Sequence, residues 1–228
     1  FGTESFDDLY TSYESDGSVP RKTIGAQELF LDILKERAET GRLYIMNIDH
    51  CNSHSSFLDK VEMSNLCQEI TLPTKPLEHI DDPNGEIALC ILSAVNVGKI
   101  RDLDDLKVLC DLAVRSLDEL IDFQNYPINA AEIATKARRS LGIGFIGLAH
   151  YLAKHGHDYN DPGAWQLVHN LTEAFQYYLI SATVDLAEEK GACEYSSRTK
   201  YGNGILPIDT YKHDVDEIVP NELHYDWE

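Results

Sequence analysis

The chain has 228 residues, enough for one large domain or two small ones with a substantial core. Nineteen Lys and Arg against 39 Asp and Glu give a formal net charge of −20, which argues against a nucleic-acid-binding face and against docking on an anionic membrane. Five widely spaced cysteines, an odd number, do not read as a secreted disulfide framework and point to a reducing, cytoplasmic setting. No apolar run reaches the roughly 18–20 residues of a membrane helix. The acidic start, Phe1 to Asp8, lacks the basic and apolar regions of a signal peptide.

Residues 1–22 are polar and read as an irregular lead-in with room for one short helix. Residues 23–228 are expected to form one domain, incomplete at both ends. From Ile24 to Thr40, Leu29, Phe30, Ile33, Leu34 and Ala38 recur at helical intervals, and Gly41 follows as a terminator. Arg42–Ile48 is rich in strand formers and predicts a strand, whereas Cys51–Asp59 reads as a polar loop. A Pro-punctuated connection through Pro73, Pro76 and Pro83 leads to Ile87–Ala94, an apolar run expected as a strand buried on both faces.

Asp102–Phe123 carries the clearest helical stripe: Leu103, Leu106, Leu109, Cys110, Ala113, Leu117, Leu120 and Ile121. A shorter helix is expected from Ala130 to Arg138. Ser140–Ala149 is apolar and Gly-punctuated, predicting a strand that turns into a helix over Ala149–His155. Asp161–Lys190 is a long helix with Leu167, Leu171, Phe175, Tyr178, Leu179, Ala182 and Leu186 inward. Strands alternating with long helices imply an α/β fold with a parallel sheet.

The densest chemistry lies in Ser64-Asn65-Leu66-Cys67-Gln68-Glu69-Ile70. In an extended segment, alternate side chains leave the same face about 6.6–7 Å apart, so Asn65, Cys67 and Glu69 would project together. An amide, a thiol and a carboxylate on one face form a compact reaction site. Asn47-Ile48-Asp49-His50-Cys51-Asn52 precedes this run, and Thr71-Leu72-Pro73-Thr74-Lys75-Pro76 follows it. Gly85 to Cys90, Leu92 to Asn96, Arg139 to Gly144 and Leu206 to Tyr211 come later. In order and spacing these blocks closely resemble the catalytic (large, alpha) subunit of class I ribonucleotide reductases, over almost the whole chain.

That resemblance implies part of a ten-stranded α/β barrel with the active cysteine on an inner loop, and a chain that is an internal piece of a larger subunit. It implies thiyl-radical reduction of ribonucleotides to deoxyribonucleotides for DNA synthesis. Cys67 would become the thiyl radical that abstracts the ribose 3′ hydrogen, and Glu69 the general base for the 3′-OH. Asn65 would bind the substrate hydroxyls, with Cys67 and Glu69 alongside it in the substrate site. Cys90 would belong to a redox-active pair that ends as a disulfide, its partner lying in sequence before this stretch.

The implied partners are a radical-generating, metal-containing small subunit, the remaining portions of the large subunit, and a second copy of the complete large subunit. Thioredoxin or glutaredoxin would re-reduce it, and a ribonucleoside diphosphate is the implied substrate. No cofactor is expected on this chain itself; nucleotide effectors would bind domains outside it.

Plainer readings compete at each position. A single cysteine is most often a small buried hydrophobe, the reading kept for Cys110; Cys51 and Cys193 receive no catalytic role, and Asn65 is a good turn former. His50-Cys51-Asn52-Ser53-His54 does not offer the paired ligands of a structural zinc site, so no metal is expected. Gly142-Ile143-Gly144-Phe145-Ile146-Gly147 matches the dinucleotide fingerprint by letters, but Lys136-Ala137-Arg138-Arg139 precedes it where a long apolar strand is required. Close backbone packing in a strand is the preferred use of these glycines. Tyr177-Tyr178 reads as helix packing. Two alternatives of function remain: a non-catalytic assembly piece of a split reductase, and a cysteine hydrolase pairing Cys67 with His50 or His54.

Overall fold

The computed structural model describes residues 4–210 and 223–227; Tyr211 of the last sequence block lies outside them. The chain divides into two compact units, Phe1–Pro73 and Thr74–Glu228.

The first unit holds helices α1 (Glu4–Ser15), α2 (Ala26–Thr40) and α3 (Ile48–His54). Gly41 ends α2 at φ 65°, returning its N–H to the Arg37 carbonyl, as a left-handed glycine cap does. No residue of α2 is buried, and Leu29, Phe30, Leu31 and Leu34 all face outward. The strand expected over Arg42–Ile48 is an irregular segment without a ladder, and α3 begins at its last residue. Strand propensity is realised only against a neighbouring strand, and none among the described residues pairs with this segment. The loop expected from Cys51 is likewise helical as far as His54.

The second unit carries β1 (Ile91–Asn96), α4 (Leu103–Phe123), α5 (Asn129–Arg138), β2 (Leu141–Ile146), α6 (Leu148–Lys154) and α7 (Pro162–Lys190). β1 and β2 pair in parallel, with Ile91 opposite Leu141 and Asn96 opposite Ile146, through a helical crossover. This is the predicted α/β arrangement. The strand expected from Ile87 starts at Ile91 instead, because its partner cannot extend further back: Arg139 turns left-handed at φ 50°. Ile87 donates to the carbonyl of Ala130.

Only one face of this pair is covered within the second unit. Val95, Ile143 and Phe145 join Val97, Ile100, Leu106, Cys110, Tyr151, Leu171, Ala174 and Phe175 in the core, with Phe145 meeting Phe175 edge-on at 5.6 Å. On the opposite face Leu92, Ala94, Gly144 and Ile146 are exposed, contrary to the expectation of burial on both sides. The inner stripe of α4 is Leu106, Cys110, Val114, Leu117 and Ile121. Leu109 and Leu120, expected inward, are exposed because each lies one residue, about 100° of helix, off that line. In α7, Leu171, Phe175, Ala182 and Leu186 are buried as expected, and Leu167, Tyr178 and Leu179 pack partly buried beside them.

Caps and charges fix these helices. Asp102 accepts from the Asp105 N–H at the start of α4, and Asp161 accepts from Gly163 N–H before α7. Asp118 on α4 receives Arg139 Nε at 2.5 Å and Lys190 Nζ at 3.1 Å, linking the ends of α5 and α7. Burial pushes the Asp118 carboxyl up, but those two cations outweigh it and hold it below the usual range. Glu173 of α7, almost fully buried, accepts from the backbone of His224 and Tyr225 and from Trp227 Nε1. Tyr177 stacks on Tyr225 at 4.5 Å, and the Tyr178 and Tyr225 hydroxyls meet at 2.9 Å. The tyrosine pair therefore packs residues 223–227 against α7.

The deepest ion pair joins Glu86, 2% exposed, to Arg138, 3% exposed, with Lys75 on the second carboxylate oxygen. Burial alone would raise the Glu86 carboxyl; Lys75 and Arg138 together bring it below its ordinary value. Its stabilisation is therefore full above the unfolded carboxylate value and fades as pH falls through the lower folded one. Replacing one member strands a buried charge, so Glu86→Gln should cost about 3 kcal/mol in denaturant unfolding at pH 7. The gap between wild type and variant should narrow as the pH is lowered past the carboxylate range; a constant gap would remove Glu86 from the pH dependence.

Candidate active site

The segment before the cysteine loop is anchored from α3. Asn52 donates from Nδ2 to the Val61 carbonyl at 2.8 Å and accepts the Val61 N–H on Oδ1 at 2.8 Å. Val61 is fully buried, so this two-point clamp fixes the chain three residues ahead of Ser64. In the sequence Asn52 stands only as the end of a matching block and within the His50–His54 stretch, with no anchoring role. Its signal was available: an amide is a side chain able to donate and accept to one backbone residue at once.

Between Asn65 and Ile70 the chain reverses. Gln68 N–H donates to the Asn65 carbonyl at 3.2 Å, Asn65 N–H to the Ile70 carbonyl at 3.4 Å, and Ile70 N–H to Asn65 Oδ1 at 3.0 Å. Gln68 closes the turn at φ 65°, a left-handed conformation uncommon outside glycine. The extended geometry expected for this run is thus replaced by a turn, and the alternation of faces does not describe it. The physical reason is Asn65 itself, whose side-chain oxygen satisfies a backbone N–H that a strand neighbour would otherwise take.

The turn gives the three predicted residues distinct places. Asn65 stands at its base with Oδ1 committed to Ile70, leaving its Nδ2 as the group able to meet a ligand. Cys67 lies within the turn and is exposed; Glu69 follows on the returning limb, also exposed. Leu66, at 80% exposure, sits beside the thiol. Gln68 and Thr71 also line an open cavity of about 270 Å³ with Ile45, Met46, Asn47, His50 and Cys51. Among the described residues, no group of three or more His, Cys, Asp or Glu is arranged to hold a metal ion.

Cys90 belongs to the second unit, one residue before the first ladder pair. It is half-buried, with Sγ 3.8 Å from the Ile91 carbonyl, and burial pushes its thiol up. It does not fill the core between Leu89 and Ile91; Leu89 is itself 38% exposed. The Gly-rich block preceding α6 is mostly strand: Gly142 and Gly144 lie inside β2, and only Gly147, at φ 81°, sits at a helix start. A side chain on Gly142 would collide with Leu92 and come within 3.1 Å of Cys90 Sγ; on Gly147 it would meet Asn96 Oδ1 at 2.5 Å. Close backbone packing is what these two glycines provide.

Parallel strands joined by a helical crossover make the second unit an α/β fold, with a thiol at one strand's entrance; the first unit carries a thiol on a turn between an amide and an acid. The chain belongs to the ribonucleotide reductase family: the model of its barrel domain matches residues 1–228. Over 228 residues it is 57% identical to a ribonucleoside-diphosphate reductase subunit alpha of Haemophilus influenzae, covering 99% of this chain and 30% of that protein. It is 55% identical to the Escherichia coli ribonucleoside-diphosphate reductase 1 subunit alpha, with the same coverage. With the subunit alpha of enterobacteria phage T4 the identity is 40%, over 98% of this chain and 30% of that one. The chain therefore spans 30% of the length of these relatives.

Exposure sets the order in which the thiols react. Cys67 is open to solvent, whereas Cys110 is fully buried on α4 and its thiol is pushed up to about 12. With iodoacetamide at pH 8 and peptide mapping by mass spectrometry, Cys67 should be modified first and Cys110 only on unfolding. Equal rates at the two positions would contradict the turn geometry.

Proposed function

We propose that this chain carries the thiol-bearing part of a centre that reduces ribonucleoside diphosphates to deoxyribonucleotides. The single observation that supports it most is the Asn65–Ile70 turn, which holds an accessible sulfur between an amide and a carboxylate. In this reading Cys67, as a thiyl radical, takes the hydrogen from ribose C3′, and Glu69 accepts the 3′-OH proton. Proton transfer of that kind needs an ionised carboxylate within hydrogen-bond reach. Asn65 Nδ2 donates to the substrate hydroxyls while its oxygen keeps the turn closed. Cys90 and a cysteine from outside this chain each give up one hydrogen, two electrons and two protons in all. The ribose C2′–OH becomes C–H as water leaves.

The same reading assigns this chain a set of partners. A radical-generating, metal-containing small subunit supplies the oxidising equivalent, so the chain's own task is to position sulfur. The exposure of Cys67 and Leu66 gives the remaining portions of the large subunit a function here: they cover the turn and exclude water. A second copy of the complete subunit, thioredoxin or glutaredoxin as reductant, nucleotide effectors on other domains, and a cytoplasmic location complete the proposal.

The test is turnover in the complete large subunit with its small subunit. Cys67→Ser should abolish deoxynucleotide formation. Glu69→Gln should lower kcat by roughly 10²–10⁴-fold, the range of a lost general base. Asn65→Ala should raise KM as well as lower kcat. This chain alone, with a small subunit and dithiol, should give no deoxynucleotide. Wild-type rates from Cys67→Ser would end the proposal and favour a purely assembling role.

A further inference from the structure

We infer that Gly142 is a positioning residue for Cys90: its missing side chain is the hollow against which the thiol rests. The inference rests on the redox role proposed for Cys90. Register places Gly142 opposite Leu92, two residues beyond Cys90. Alternate residues of an extended segment share a face, so Cys90 and Leu92 lie on the side from which a Gly142 side chain would emerge. A β-carbon built there lies 3.1 Å from Cys90 Sγ and overlaps Leu92 Cδ2. Leu92 is 59% exposed and can swing its terminal methyl aside. Cys90 has less freedom, being half-buried and held at the start of the ladder, so its sulfur must shift by a few tenths of an ångström.

A displacement of that size matters because disulfide formation is geometrically narrow. Two cysteines join only with Cβ atoms about 3.5–4.5 Å apart and a C–S–S–C dihedral near a right angle. The oxidation to be positioned is the one written above: two thiols yield a disulfide while the ribose carbon gains hydrogen and releases water. Gly144 supplies an internal control. It lies in the same strand, on the same face, and a β-carbon there meets nothing within 4 Å. Any general cost of adding a methyl to β2 is shared by both glycines; contact with the thiol belongs to Gly142 alone.

The experiment uses the complete large subunit with its small subunit and a ribonucleoside diphosphate, without added dithiol. Single-turnover conversion of Cys90 to disulfide is followed by mass spectrometry. Gly142→Ala should slow that conversion by about tenfold, the scale expected when a reacting atom is misplaced by a fraction of an ångström. KM should stay unchanged, and Gly144→Ala should oxidise Cys90 at the wild-type rate. The double variant Gly142→Ala/Leu92→Ala removes the collision with Leu92, secures folding, and should remain slower than Leu92→Ala alone. Equal rates in Gly142→Ala and Gly144→Ala, or a double variant as fast as Leu92→Ala, would overturn the inference. A wild-type subunit that turns over without oxidising Cys90 would instead overturn the redox role on which it rests.

Discussion

A buried carboxylate and guanidinium, Glu86 and Arg138, control the second unit because neither tolerates a dry interior alone. Glu86 stands four residues before Cys90, and Arg138 stands three before the first residue of β2. Pairing them fixes the entrances of both strands relative to each other. Ile87 adds a hydrogen bond to Ala130 in α5, and the ladder then starts at Ile91 and Leu141. A one-residue slip of parallel strands would exchange their faces and turn Val95 out of the core. It would also carry Gly142 away from the Cys90 sulfur. One electrostatic constraint thus propagates through register to the position of a single thiol.

The two sulfurs are held by different physics. Cys90 is fixed by a ladder, half-buried, its thiol discouraged from ionising by lost solvent. Cys67 is fixed by a turn whose hydrogen bonds are all local, from Ser64 to Ile70, and by a clamp at Val61. Such a turn keeps its shape without a neighbouring strand and leaves Cys67 exposed. Cys90, in contrast, precedes the first ladder pair and has β2 on one flank, which gives its thiol a defined direction.

Legibility in the sequence followed where the forces are local. α4, α5, α7 and the Gly41 cap were readable because stripes, caps and terminators act within a few residues. The parallel α/β class was readable from alternation, and the family from blocks of sequence spread along the chain. What failed depended on distant neighbours. Arg42–Ile48 has strand-forming residues without a paired strand, and β1 starts late because Arg139 ends its partner. Leu92 and Ala94 look like core but lie on an open face. At the candidate site, Asn65, Cys67 and Glu69 were visible as residue types. Their geometry was not, since the choice between pleat and turn rests on one amide bonding to Ile70. Asn52 showed its residue type but not its target, Val61, and Gly142 showed close packing but not the thiol it packs against, since no periodicity records such contacts.

The charge balance bears on how a diphosphate substrate could be held. Lys75 and Arg138 are taken by Glu86, Arg139 and Lys190 by Asp118, Arg115 by Asp111 and Glu189, and Lys136 by Glu132. Arg101 grips Asp105 so firmly that the carboxyl is lowered to about 2. An incoming phosphate would have to displace a carboxylate already in place at any of these cations, and would meet a surrounding net charge of −20. Recruiting them would therefore oppose both local pairing and the long-range field. Under the proposed reading, the ribose is met by the Asn65–Ile70 turn and the phosphates by groups on the remaining portions of the large subunit. On that reading so acidic a chain would meet the sugar through thiols, an amide and one carboxylate, and leave the charged end of the substrate to other groups.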